Sequence, residues 1–346
     1  MLVSVVFRVP LLESEWIIER AVGRDKIKQN VACIINNIKS TKNMRVLITG
    51  GAGYIGYSLV EHLEAVDNVS EIIVYDNLSR DNYNFFHCGK HLKKTKFIKG
   101  DILNRFDFEK HLQNIDIIYH LAAYVDFPFS HKENIRYEQI NQWGTSILTG
   151  VIQETPSVTK VIYLSSVSVY GFQSVTKGDF TSNPENAYGI SKDGGEKFIN
   201  LLNKKCDVYV FRCANVFGYN PCIRLDAIIN QFMFSAINFN QILVYGDGTQ
   251  IRPFIEVNKL CEQLLKPLDE KHAPGTKNLL QFNASINEVR DVIAGELDNM
   301  ETLYINRNQK FLSTIIENAP DQEMMKDIIK ASLINYISES RLWKNE

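Results

Sequence analysis

The run Met44-Arg-Val-Leu-Ile-Thr-Gly-Gly-Ala-Gly-Tyr-Ile-Gly56 constrains this chain more than any other stretch. Its apolar and β-branched residues predict a buried strand, and glycines at 50, 53 and 56 then turn the chain into a helix. Glycine permits the tight turn, lets backbone approach a pyrophosphate, and lets the helix pack closely on the strand. The N–H groups and dipole at such a helix start attract the anion. Twenty residues after Gly56, the run Ile72-Ile-Val-Tyr-Asp76 predicts a second strand that ends in an acid. A carboxylate there accepts hydrogen bonds from an adenosine ribose and disfavours a 2′-phosphate, so NAD is the expected cofactor. Arg80, four residues on, leaves NADP open.

The chain has 346 residues, 45% of them hydrophobic and 23% charged, enough for a large core and one or two domains. A net charge of −2 gives no electrostatic case for nucleic acid or an anionic membrane as partner. The cysteines at 33, 88, 206, 213, 222 and 261 contain no Cys-x-x-Cys pair and no metal-ligand spacing with histidine. They read as reduced core thiols of a cytoplasmic protein, and no metal is expected. No uninterrupted apolar run reaches the ~18 residues of a membrane span. Arg8, Glu13 and Glu15 interrupt the apolar first residues, and no small-residue cleavage site follows, so no secretion signal is expected.

Residues 1–43 carry no motif and read as an N-terminal extension without an assignable role, with one or two short helices between Glu13 and Ile38. From Met44 the pattern alternates strand and helix. Strands are predicted at 45–49, 71–75, 96–99, 116–120, 161–165 and 208–211, with helices at 54–65, 105–113, 132–154 and 186–203. That alternation predicts an α/β fold, a Rossmann doubly wound parallel sheet, over 44–215. Beyond it Pro221, Pro253, Pro267 and Pro274 punctuate the chain. Residues 216–346 are therefore assigned mainly to a smaller C-terminal substrate-binding lobe and helices, with 295–346 helical in pattern.

A second constellation is Tyr163-Leu-Ser-Ser166-Val-Ser-Val-Tyr-Gly171, followed by Tyr188-Gly-Ile-Ser-Lys192. Tyr188 and Lys192 are four apart and share a helix face. A phenol of pKa about 10 is a poor base at neutral pH. A neighbouring ammonium, together with an oxidised nicotinamide ring, would stabilise its phenolate. Ser166, at a strand end, would bond the substrate oxygen and share its proton with Tyr188. The three would take a proton from a carbinol while hydride leaves its carbon. Alone, Tyr-x-x-x-Lys is far more readily a surface pair on an amphipathic helix; the upstream fingerprint and the Ser-rich strand end give it meaning.

Taken together, these motifs resemble the extended short-chain dehydrogenases/reductases of the NAD-dependent nucleotide-sugar epimerase/dehydratase group, over roughly residues 44–260. The resemblance rests on Thr49-Gly-Gly-Ala-Gly-Tyr-Ile-Gly56, Tyr75-Asp-Asn-Leu-Ser79, Gly100-Asp-Ile102, His120-Leu-Ala-Ala123 and Asn141-Gln-Trp-Gly-Thr145. It continues through Ser165-Ser166, Tyr188-x-x-x-Lys192, Arg212-x-x-Asn-Val-Phe-Gly218 and Tyr245-Gly-Asp-Gly-Thr-Gln-Ile-Arg252. It implies Ser166, Tyr188 and Lys192 as the catalytic set. It implies a cofactor site from Gly50, Gly53, Tyr54, Ile55 and Gly56, with Asp76 and Asn77 at the adenosine ribose and Asp101 and Ile102 at the adenine. Leu121, Ala122 and Ala123 would lie along the pyrophosphate and nicotinamide ribose, with Asn141, Tyr188 and Lys192 completing the site. Asn215 and Arg252 match nucleotide-sugar contacts, the arginine on the diphosphate, where its planar fork suits phosphate oxygens. Each has a plainer reading: Asp101 as a strand end, His120 as a satisfied core histidine, Asn141 as a helix-packing residue.

Two departures narrow the expected chemistry. The group's 4,6-dehydratases carry Asp-Glu directly after the position of Ser166, and its 3,5-epimerases a cysteine soon after. Val167 and Ser168 stand there instead. What remains is 4-epimerisation by transient hydride transfer or, alternatively, a net 4-dehydrogenase or reductase. After Arg252 the usual Asp-Phe/Tyr-Ile-His/Tyr-Val-x-Asp is replaced by Pro253-Phe-Ile-Glu256-Val-Asn-Lys259. The stretch Asn220 to Asn230 has the look of a subgroup signature, with Arg224, Asp226 and Asn230 facing the sugar. The resemblance implies as partners a nucleoside-diphosphate sugar and, through the helices around 132–154 and 186–203, a second copy in a homodimer, although the apolar residues of those helices could equally serve the intramolecular core.

Overall fold

Seven parallel strands form the central sheet of the computed structural model, which describes residues 43–88, 92–125, 134–308 and 311–342. Residues 1–42, and with them the predicted N-terminal helices, lie outside the described residues. β1 (Met44–Thr49) is covered on both faces, as central strands of parallel sheets are, and Val46, Leu47 and Ile48 have no exposed surface. The chain continues through α1 (Tyr54–Glu64), β2 (Val69–Asp76), α2 (Asn84–Cys88), β3 (Thr95–Lys99), α3 (Arg105–Lys110) and β4 (Ile117–His120). A π-helical run, Tyr137–Trp143, leads into α4 (Gly144–Glu154). Then come β5 (Lys160–Ser166), β6 (Ser174–Val175), α5 (Ala187–Asn200) and β7 (Asp207–Cys213).

The sheet order is β3-β2-β1-β4-β5-β7, and β11 (Gly275–Leu279) is added at the β7 edge. Strand order reverses between β1 and β4, and such a switch point opens a crevice at the strands' C-terminal ends. The predicted doubly wound sheet is the observed one. Its seventh strand was not foreseen, because Gly-Thr-Lys-Asn-Leu279 lacks the apolar run of the inner strands and an edge position does not demand one. Leu47, Ile118, Leu148, Val161, Ile199 and Val210 pack into one core on this sheet. Burying each such side chain contributes about 1.5–3 kcal/mol.

The remaining elements are β8 (Asn215–Phe217), α6 (Ile228–Phe239), β9 (Gln241–Tyr245), β10 (Ile251–Glu256), α7 (Val257–Leu265), β12 (Phe282–Ser285), α8 (Ile286–Ala294), β13 (Glu301–Ile305), β14 (Ile315–Ile316) and α9 (Met325–Leu342). Phe217, Phe232, Met233, Phe254, Phe282, Ile329 and Leu333 make a second core among them. The helical reading of 295–346 is corrected: helix occupies Met325–Leu342, whereas Glu301–Ile305 is a strand paired in parallel with β9. That strand's register is supplied by a partner some sixty residues earlier, which local periodicity does not reveal.

Candidate active site

Pairing registers bring the ends of β1, β2 and β4 within a residue of one another, while β5 and β7 run on past them to Ser166 and Cys213. Thr49 pairs with Tyr75 and His120, His120 with Tyr163, and Ser166 with Cys213. At the end of β1 Gly50 has φ +72°, and a Cβ there would lie 2.6 Å from the Ala122 amide nitrogen. A Cβ on Gly56 would lie 2.5 Å from the Gly50 carbonyl oxygen. Both positions therefore require glycine. No side chain caps α1 at Gly53, and Ile55 is half-buried in the first turn. Leu121, Ala122 and Ala123 run over this loop, half-buried, with the Leu121 amide donating to the Thr49 carbonyl at 3.1 Å.

Asp76 ends β2 as predicted. Its carboxylate accepts the Ala52 amide at 3.1 Å and the Leu78 amide at 2.7 Å, which fixes it against the glycine loop. Burial raises its pKa and these two bonds oppose the rise. Asn77 donates to Asp101 at 3.1 Å, so the ends of β2 and β3 are tied. Ile102 is 6% exposed and packs in the main core, where a Cβ on Gly144 would lie 2.5 Å from it. Only an edge of it remains for an adenine.

Ser166 ends β5 and Tyr188 lies in the first turn of α5, which starts at Asn186, whose side chain accepts the Gly189 amide at 2.8 Å. Burial pushes the Tyr188 phenol up to about 12, while the Arg224 charge and the Ser166 hydroxyl pull it down. Lys192 is buried, and burial pushes its ammonium down to about 8 against the charge of Glu196. The expected ammonium–phenol partnership takes another form here. Lys192 Nζ donates to the Leu164 carbonyl at 2.8 Å and lies 5.0 Å from the centre of the Tyr163 ring, and no hydrogen bond joins it to Tyr188. A buried ammonium needs an acceptor, and the strand carbonyl is the nearest one the fold supplies.

His120 and Asn141 are structural. The Thr145 hydroxyl donates to the Asn141 carbonyl at 2.6 Å, so its oxygen accepts from His120 Nε2 at 2.9 Å; Nδ1 then accepts from Thr49 at 2.7 Å. Burial and the Lys192 charge push His120 down to about 3, so the ring is neutral. The Asn141 amide exchanges hydrogen bonds with the Tyr124 backbone at 2.7 and 3.0 Å and donates to Ser191. It braces the loop after β4 with its side chain fully occupied.

On the sugar side, Arg252 donates to the Ile251 and Leu312 carbonyls at 2.9 and 2.6 Å and lies over the Phe172 ring. No carboxylate pairs with it among the described residues, and burial pushes its pKa down to about 10. Asn215 donates to the Pro253 carbonyl at 3.0 Å and links β8 to β10. Arg224 grips Asp226 with two bonds of 2.8 and 2.9 Å. Asn230 does not face a sugar: it has no exposed surface, accepts the Gly218 amide and donates to the Arg224 carbonyl. Tyr54 is likewise turned away from the glycine loop, its phenol donating to the Gly218 carbonyl at 2.6 Å. Both requirements come from burial, which obliges each polar end to find a partner.

Residues 46–282 match the model of the NAD dependent epimerase/dehydratase family. The chain belongs to that family. A putative UDP-glucose 4-epimerase of Methanocaldococcus jannaschii is 28% identical over 262 residues, 73% of this chain and 82% of that protein. A dTDP-D-glucose 4,6-dehydratase of Dictyostelium discoideum is 31% identical over 248 residues, 65% of this chain and 56% of that protein. In fold, the chain is similar to the UDP-glucuronic acid 4-epimerase of Bacillus cereus in complex with UDP-glucuronic acid and NAD. The TM-score is 0.75 at 23% identity, covering 84% of this chain and 98% of that one.

Members of this family are NAD-dependent enzymes, and the site fits that cofactor. The backbone at Gly50 leaves no room for a Cβ, and the Asp76 carboxylate is pinned beside the glycine loop. Arg80 is drawn to Asp226 at 4.0 Å, which sets its charge against a carboxylate instead of a 2′-phosphate. Among the described residues no cluster suits a metal, no disulfide forms, and no helix is long and apolar enough to cross a membrane.

Some contributors escaped the sequence reading. Glu196 and Arg212 form a buried ion pair behind Ser165 and Lys192. The spacing Tyr188, Lys192, Glu196 puts all three on one helix face and was the available signal. Glu256, where the family usually has His or Tyr, caps α7 by accepting the Asn258 and Lys259 amides at 2.8 and 3.1 Å. Burial pushes its pKa up to about 7. Thr49 and Thr145 stand in the quoted motifs without an assigned role; the β1–β4 register brings Thr49 to His120, and the packing of α4 brings Thr145.

Proposed function

We propose that the protein is an NAD-dependent nucleotide-sugar epimerase acting at C4. Tyr188 would take the proton from the C4 hydroxyl and return it, with the Ser166 hydroxyl bonding the same oxygen. NAD, when bound, supplies the hydride acceptor and donor at that carbon. The Arg252 guanidinium, half-buried and without a carboxylate partner among the described residues, would bind the diphosphate, since its planar fork meets phosphate oxygens with two bonds. Lys192, held by the Leu164 carbonyl, would keep positive charge on the nicotinamide side of the site and favour the phenolate.

The observation that carries this reading is the pair that follows Ser166. Val167 is buried and apolar, and the Ser168 hydroxyl and amide are both engaged by Ser166 Oγ at 3.1 Å. Neither supplies the further acid and base that elimination of water requires. The 4-epimerase names of the Methanocaldococcus and Bacillus proteins agree with this, whereas the Dictyostelium relative is a 4,6-dehydratase. The test is incubation with UDP- and dTDP-hexoses at catalytic NAD, with products followed by NMR. A C4 epimer without net NADH supports the reading. Stoichiometric NADH would identify a net dehydrogenase, and a 4-keto-6-deoxy product a dehydratase.

A homodimer is part of the proposal. A shallow depression lined by Ile135, Gln139, Trp143 and Phe198 opens on the π-helical run and α5, with Ile135 and Trp143 79% and 60% exposed. A second copy would cover it, and a monomeric mass at micromolar concentration contradicts this.

A further inference from the structure

The segment leaving β8 touches the cofactor half at two places. Against α1, the Tyr54 phenol bonds the Gly218 carbonyl, and Asn220 Nδ2 donates to the Tyr54 carbonyl and to Ser58 Oγ, both at 2.8 Å. Against the loop that follows Asp76, Asn84 Nδ2 donates to the Pro221 carbonyl at 2.8 Å, and Arg80 lies 4.0 Å from Asp226. Asp226 holds Arg224 at the same time, so one carboxylate serves an arginine from each side. Burial works against its ionisation, yet Arg224 and Arg80 keep its pKa below the ordinary range. The two sets of contacts flank Asp76 and the glycine loop.

We propose that segment 218–226 and loop 77–84 form a clasp that closes over the cofactor and slows its release, with Asp226 as the positioning residue that ties the clasp to Arg224. This rests on the reading of Asp76 as the ribose ligand. The contacts toward α1 are buried and fix the segment in place. Those toward loop 77–84 are exposed, and exposed ion pairs and hydrogen bonds are individually weak. The clasp therefore opens on the side of loop 77–84, swinging away from a stationary segment. An enzyme that regenerates its NAD in each cycle gains from such retention, because a lost cofactor ends turnover. The charge on Asp226 also makes the latch sensitive to salt.

The experiment loads the purified protein with radiolabelled NAD and follows loss of label after a chase with excess unlabelled NAD. Arg80→Gln should release label about threefold faster, and Arg80→Gln with Asn84→Ala about tenfold faster. Asp226→Asn should release at least as fast as Arg80→Gln, and Asp226→Glu, which keeps the carboxylate, should restore slow release. Wild-type release rates in the double variant overturn the clasp and leave the cofactor reading standing. A rate in Asp226→Asn equal to wild type removes Asp226 from it. A wild-type protein that, stripped of any bound nucleotide, takes up no label overturns both the clasp and the cofactor site.

Discussion

Arg212 grips Glu196 with bonds of 2.9 and 2.7 Å, and both side chains are only 6% exposed. The pair ties β7 to α5 one turn beyond Lys192, and the Glu196 carboxylate also accepts the Ser165 hydroxyl. Arg212 stacks on Tyr170, 4.7 Å from its ring centre. Removing one partner strands the other charge in the interior. Arg212→Met should therefore destabilise the fold by about 3–5 kcal/mol. Denaturant unfolding measures this, and a loss below about 1 kcal/mol would show that water reaches the carboxylate.

Tyr188→Phe removes the proposed acid/base and leaves the ring against Tyr137, 5.9 Å away. Turnover should fall by about a thousandfold. NAD retention should stay near wild type, because the glycine loop and Asp76 are untouched. Single-turnover absorbance of NADH reads the first quantity and label release the second. Turnover at a tenth of wild type would move the proton to another group.

At Gly50, alanine meets both a left-handed backbone and the Ala122 amide. The left-handed conformation alone costs roughly 1–2 kcal/mol, and the close approach adds displacement of the loop after β4. Gly50→Ala should lower Tm and weaken NAD binding together. A variant with wild-type NAD affinity would contradict the cradle.

Arg252→Met should raise the KM for the nucleotide-sugar about tenfold to a hundredfold with a smaller change in kcat, from the loss of charged hydrogen bonds. Equal losses in kcat and kcat/KM would place the guanidinium at the reacting atoms instead of the diphosphate.

Burial and the Lys192 charge push His120 down to about 3 in the fold, against about 6.5 for an exposed imidazole in the unfolded chain. Between those values the unfolded chain binds the extra proton. The contribution is thus complete above about pH 6.5 and is lost as pH falls toward 3. His120→Gln should flatten that part of the stability curve relative to wild type, as read by Tm against pH. Parallel curves would mean the ring is protonated without opening the core.

The fold was legible where local signals were strong. The apolar runs of β1, β2, β4, β5 and β7 are strands because both faces of a parallel sheet are buried. The glycine pattern after β1 and the acid that ends β2 mark the crevice, because a pyrophosphate needs bare backbone there and a ribose needs an acceptor. Edge strand β11 and strand β13 were not legible, since their pairing partners lie far away in sequence and their own residues alternate weakly. Asn230 and Tyr54 were placed near ligands by motif position, yet burial turned their polar atoms onto the backbone around Gly218.

The sequence by itself determined the Rossmann sheet, the family and the presence of Ser166, Tyr188 and Lys192, since each rests on short-range periodicity or spacing. Only the tertiary structure decided what surrounds those groups. It gave the Lys192 ammonium to the Leu164 carbonyl, left Arg252 without a carboxylate, and shared Asp226 between Arg80 and Arg224. Such partnerships depend on distances between elements remote along the chain, and on the requirement that each buried polar group find a partner wherever the fold has placed one.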